Sequence, residues 1–158
     1  MKRLFFLFSI ISSTVLAQDL TLNKATRQTL NHGASPTSRT TYKILICNCK
    51  KGKWNIDSVI STSSGQAVLF NVFRVEAPAS ASPKYLKLES ANDLETGHYQ
   101  ITFDVTKKHG GGRPGAPQNQ KADTTNIDGG VEIFYSSKKK KKKMKVDTFE
   151  ELERIDAP

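Results

Sequence analysis

Hydrophobic and polar positions alternate most cleanly over residues 95–105. There Tyr99, Ile101, Phe103 and Val105 fall on one side of an extended chain and His98, Gln100, Thr102 and Asp104 on the other. A strand with one dry and one wet face is not stable alone, because its apolar side must be covered by a second layer. The pattern therefore predicts an all-β body of six to eight antiparallel strands in two sheets, a sandwich organised around this segment.

The same period recurs elsewhere. Residues 42–47 are compact and β-branched, residues 48–52 carry turn chemistry, and residues 53–60 alternate Trp54, Ile56 and Ile60 against Lys53, Asn55 and Asp57, which together predict a hairpin. Residues 67–75 are apolar on both faces, as expected of one central strand covered on two sides or carrying a bulge. Short strands are expected at 84–88 and 131–135, and the core is expected to contain Tyr99, Ile101, Phe103, Trp54, Ile56, Leu69, Phe73 and Ile133.

Three stretches lack such a pattern. Residues 18–41 are polar with scattered apolar positions and read as a flexible lead-in, with at most a short edge strand over 19–22. Residues 107–129, rich in Gly and Pro, read as a long loop within a domain spanning 42–136. Residues 137–158 open with a lysine run and end acidic. In that end Phe149, Leu152 and Ile155 sit at helical spacing behind Thr148 and Glu151, while residues 143–148 are also compatible with a last edge strand beside 131–135.

The first 17 residues change the address. Lys2 and Arg3, the apolar run 4–11 and the small-residue exit at Val15, Leu16 and Ala17 have the form of a signal peptide cleaved after Ala17. The run is shorter than the roughly 20 apolar residues that span a bilayer. The expectation is thus an exported chain, periplasmic or extracellular, with no transmembrane segment after cleavage. The formal net charge of the whole chain is +9, and losing Lys2 and Arg3 leaves it basic. Such a balance suits an anionic envelope surface or a polysaccharide and also serves solubility, so a protein partner remains open.

Candidate chemistry is sparse. Cys47 and Cys49 are the only thiols. At i, i+2 on a strand they point the same way and would close a very small ring, so the expected state is a packed Cys47 and a free or intermolecular Cys49. The alternatives are a reducible vicinal disulfide or a soft ligand pair for Cu(I) or, with a His, Zn. His32, His98 and His109 are not spaced as metal ligands. His98 with Asp104 and a serine lacks a nucleophile-elbow motif, so no catalysis and no cofactor are expected. Residues 110–115 have the glycines of a phosphate cradle without its Lys and Ser/Thr, and Asp123, Asn126 and Asp128 miss the spacing of an EF-hand.

Anion binding falls to Lys138, Lys139, Lys140, Lys141, Lys142 and Lys143, and to Arg113 in the loop. Nucleic acid is disfavoured, because Tyr135 and Phe149 flank the lysines instead of interleaving with them. The bland alternative for the run is a solvated, edge-protecting face.

Glu95-x-Gly97-x-Tyr99 resembles the tyrosine corner of immunoglobulin-like sandwiches, in which the Tyr hydroxyl ties back to the preceding turn. The resemblance places Trp54 as the core tryptophan. Ile101 stands where antibody domains have the second core Cys, which implies that their inter-sheet disulfide is missing. Gly52-x-Trp54 is similar to the Gly-x-Trp of lipocalins and implies, as the alternative, a small barrel around an apolar ligand. The functional expectation is a non-catalytic binding or structural module, with an apolar-ligand carrier and a thiol or metal protein as alternatives.

Overall fold

The structure, a computed structural model, describes residues 20–32, 37–108, 127, 129–137 and 140–157. The expected signal peptide over 1–17, Arg113, Lys138, Lys139 and most of the 107–129 loop lie outside them. The described residues form β1 (Leu20–His32), β2 (Thr37–Asn48), β3 (Asn55–Ser61), β4 (Ala67–Val68), β5 (Asn71–Glu76), β6 (Lys84–Lys87), β7 (Gly97–Lys108), β8 (Val131–Ser137), β9 (Lys140–Val146), β10 (Glu150–Glu151) and β11 (Ile155–Ala157). The protein is all-β, with no helix among the described residues. None of them therefore supplies a helix long and apolar enough to cross a membrane.

Strand β7 holds the place its alternation predicts. It lies between β2 and β5 in the larger sheet, whose order is β10-β1-β2-β7-β5-β6 with β11 also on β1; the smaller sheet runs β4-β3-β8-β9. Tyr99, Ile101, Phe103 and Val105 are all buried, and they join Ile44 and Ile46 of β2, Ile56 and Val59 of β3, and Ile133 and Tyr135 of β8 in one hydrophobic cluster. Both sheets thus turn an apolar face to the same core. Tyr42 stacks on Phe103 at 5.0 Å between ring centroids, and Trp54 meets Tyr135 edge-on at 5.4 Å.

The larger sheet is curled like half a barrel, and it is mixed because β10 and β11 run parallel to β1. This corrects the expectation of purely antiparallel pairing. Closure into a lipocalin-like barrel does not occur among the described residues. The two sheets share no ladder, only the single Trp54–Leu94 bridge, and Trp54 fills the core against Tyr135.

Four further expectations change. The lead-in is the longest strand: β1 pairs with β2 from Leu20↔Asn48 to Asn31↔Ser38, interrupted by a bulge at Asn23. Its polar side chains gave no signal because little of it faces the core. The expected hairpin of 42–47 with 53–60 does not form, since β2 pairs with β1 and β7 while β3 pairs with β4 and β8. The turn residues between them carry the chain from one sheet to the other.

The apolar run 67–75 is likewise split, with β4 in the smaller sheet and β5 in the larger. At the crossing Leu69 is 95% exposed, and Phe73 lies half-buried outside the core, so neither is the core residue expected. Of the two readings of the C-terminal end, the edge strand holds and the helix does not: β9 pairs antiparallel with β8 at the edge of the smaller sheet, and the last residues form the two short parallel strands on β1.

Candidate functional site

Because the larger sheet buries its even-numbered β2 side chains, the odd-numbered ones face away from the core. The registers line up three rungs on that outer face. Lys24, Leu45, Gln100, Phe73 and Lys87 form one; Thr26, Lys43 and Thr102 form the next on one side; Thr21, Cys47, His98, Val75 and Tyr85 form the next on the other. The curl of the sheet makes this face a groove of about 510 Å³, within the roughly 300–1,000 Å³ usual for ligand sites.

Leu45, Gln100, Thr102 and Phe73, all half-buried, make its floor. Tyr85, 47% exposed, stands with Pro78 and Pro83 along one wall, while Lys24 and Leu152 mark the opposite side. The Gln100 amide donates to the Thr102 hydroxyl over 3.1 Å, which fixes both polar groups in the floor.

Two ammonium groups border the groove and differ in their surroundings. Lys24 Nζ pairs with Glu150 at 2.8 Å. Lys43 meets no carboxylate among the described residues, which leaves its positive charge to the groove. Val75, 5% exposed although it faces away from the core, lines the groove together with Pro78 and Pro83. Periodicity alone does not mark this site, since its floor joins outward-facing Leu45 of β2 and Gln100 and Thr102 of β7 to Phe73 of β5, a residue expected in the core.

The strand-end corner next to this groove holds the cysteines. They form a Cys47–Cys49 disulfide, with Cα atoms 5.3 Å apart, which corrects the expectation of a free Cys49. Cys47 is buried on the outer face, Cys49 is exposed beyond the end of β2, and Asn48 between them is fully buried. The Asn48 amide donates to the carbonyls of Gly52, Leu94 and Glu95 at 3.2, 3.1 and 2.9 Å. Glu95 O also accepts the Tyr99 hydroxyl at 2.9 Å. Tyr99 thus ties back to the turn before its strand, as the Glu-x-Gly-x-Tyr pattern implies.

The remaining sequence candidates do not converge. Asp104 is held by Arg39 and by the Thr41 hydroxyl at 2.6 Å. It stands six residues along β7 from His98, roughly 20 Å at strand rise, so the two cannot share a triad. No group of three metal-ligating side chains occurs among the described residues.

Of the lysine run, Lys140, Lys141 and Lys143 lie exposed on the edge strand β9, Lys143 paired with Glu132 at 2.8 Å, and Lys142 lies 6.0 Å from the Trp54 ring centroid. Most of the acidic end does not neutralise this run. Glu150 and Glu151 reach Lys24 and Arg27 of β1, at 2.8 and 2.9 Å, and the Glu151 hydrogen bond raises the Arg27 pKa above its ordinary value.

Comparison of the chain with protein-family models, with curated proteins and with solved structures finds no match.

Proposed function

We propose that the chain is an exported, non-catalytic binding module, an immunoglobulin-like sandwich in kind, that holds an acidic polysaccharide in the outer groove of its larger sheet. One observation carries this reading: the groove combines exposed Tyr85, half-buried Phe73 and two prolines with the Lys43 ammonium and the fixed polar pair Gln100–Thr102. A sugar ring offers apolar C–H faces to an aromatic wall, hydroxyls to an amide and hydroxyl floor, and a uronic acid carboxylate to a lysine. An open groove suits a chain molecule whose ends lie outside it. The basic net charge favours its approach. The Tyr99 tie to Glu95 supports the immunoglobulin-like reading of the fold.

Titration calorimetry with polygalacturonate, and with dextran as the neutral control, tests it. Binding is expected for the acidic polymer only and should weaken as salt rises. Tyr85→Ala and Lys43→Ala should each weaken it by about tenfold, equivalent to about 1.4 kcal/mol. Equal affinity of both variants and the parent, or no binding by the parent, would overturn the proposal.

A further inference from the structure

The geometry points to a second activity, independent of the groove: the Cys47–Cys49 disulfide is a reversible thiol–disulfide exchange centre, with Cys49 as the attacked sulfur and Cys47 as the leaving one. The pair is asymmetric in the way such chemistry requires, because Cys49 is exposed and Cys47 is 4% exposed. As a staple the bond does little, since a loop with one intervening residue removes little freedom from the unfolded chain.

The corner is held without it. Asn48, fully buried, is clamped by its three amide hydrogen bonds, and Asn48 pairs with Gly97 in the β2–β7 ladder. Thr96 adds a hydrogen bond of 3.1 Å to the Lys50 carbonyl just beyond Cys49. Both sulfurs therefore stay side by side after reduction, which favours rapid closure.

The surroundings favour a thiolate. Lys50, Lys51 and Lys53 follow Cys49 and are all exposed. His98 stands opposite Cys47 across the β2–β7 ladder, its Nδ1 accepting from the amide nitrogen of the bulged Asn23 at 3.3 Å. The lysine charge beside Cys49 draws an incoming thiolate and stabilises Cys49 as the thiolate released in the second step.

The reaction with a dithiol balances in two steps. One thiolate of the dithiol attacks the Cys49 sulfur, the Cys47–Cys49 bond breaks, and its electron pair leaves on Cys47. The second thiolate of the dithiol then attacks the sulfur bridged to Cys49 and releases Cys49 as thiolate. The dithiol becomes a disulfide, and its two electrons and two protons pass to Cys47 and Cys49.

Full-length oxidised protein equilibrated with graded dithiothreitol, then acid-quenched, alkylated and weighed intact, should gain two thiols without denaturant. It should lose them again on addition of oxidised glutathione, with near-ultraviolet circular dichroism retained throughout. Under limiting iodoacetamide, peptide masses of the reduced protein should show Cys49 labelled at least about tenfold faster than the buried Cys47. Cys47→Ser should in turn trap glutathione on Cys49. A bond that resists reduction in the folded protein, a fold lost on reduction, or equal labelling of the two cysteines would overturn the assignment; the groove proposal would stand in each case.

Discussion

At the scale of single residues, the corner before β7 concentrates several interactions on few atoms. The Tyr99 ring lies in the core while its hydroxyl donates to Glu95 O, and burial raises the phenol pKa above its ordinary value. Tyr99→Phe keeps the ring and loses one hydrogen bond, so urea denaturation should show a loss of about 1 kcal/mol. Tyr99→Ala should cost about 3–5 kcal/mol, the range for a buried aromatic. An unchanged midpoint in Tyr99→Ala would remove Tyr99 from the core.

Asp104 gives a pH signature. The Arg39 hydrogen bond, with help from Thr41, holds its carboxyl below the ordinary value of 3.8. A folded-state value below the unfolded one stabilises the fold at higher pH and is lost as pH falls through the folded value. Asp104→Asn should therefore lower stability near neutral pH, by under about 1 kcal/mol for so exposed a pair, and the difference from the parent should vanish at strongly acidic pH. A difference that persists there would show that the carboxylate charge is not its source.

At the scale of elements, the larger sheet is finished at one edge by the C-terminal strap. Phe149 packs edge-on to Tyr42 with ring centroids 5.0 Å apart, Leu152 N donates to Arg27 O at 2.8 Å, and the Asn31 amide donates to Asp156 at 2.7 Å. Removing residues 148–158 should cost about 2–3 kcal/mol, mainly from Phe149, since exposed ion pairs contribute little. It also bares the β1 edge to pairing with another chain. Thermal unfolding with light scattering checks both, and a truncated chain as stable and as monomeric as the parent would contradict the strap's role.

The strap also marks what the sequence conveys. Segments with one face in the core, such as β7 and β8, are legible from alternation alone. Strand β1 is not, because its partners are β2 and the acidic end over a hundred residues away, and its long polar run carries no period. Strand pairing was equally hidden at Gly52–Trp54 and Leu69–Phe70, where turn chemistry looks the same whether the chain folds back or crosses to the other sheet. The lysine run was legible as an edge, since β9 ends the smaller sheet and alternates exposed lysines with buried Met144 and Val146.

At the scale of the whole molecule, the two sheets divide the work. Their facing sides make the core, the smaller sheet presents a lysine edge, and the outer face of the larger sheet carries both the groove and the cysteine corner one rung away. Glycine matters where they meet the turns: Gly130 has a φ of +88°, and a Cβ there would lie 2.2 Å from the Val146 carbonyl oxygen. No other residue fits that entry to β8 without moving β9.

The groove was not readable in advance, because an alternating sequence labels the wet side of a strand without saying whether the sheet curls to make it concave. Its role is tested most directly by mapping amide and side-chain NMR shifts during titration with an acidic uronic acid oligosaccharide. Shifts should cluster at Lys43, Phe73, Tyr85, Gln100 and Thr102 and leave Lys141, Lys143 and Lys145 in place. Shifts confined to the β9 lysines, or none at saturating oligosaccharide, would contradict it.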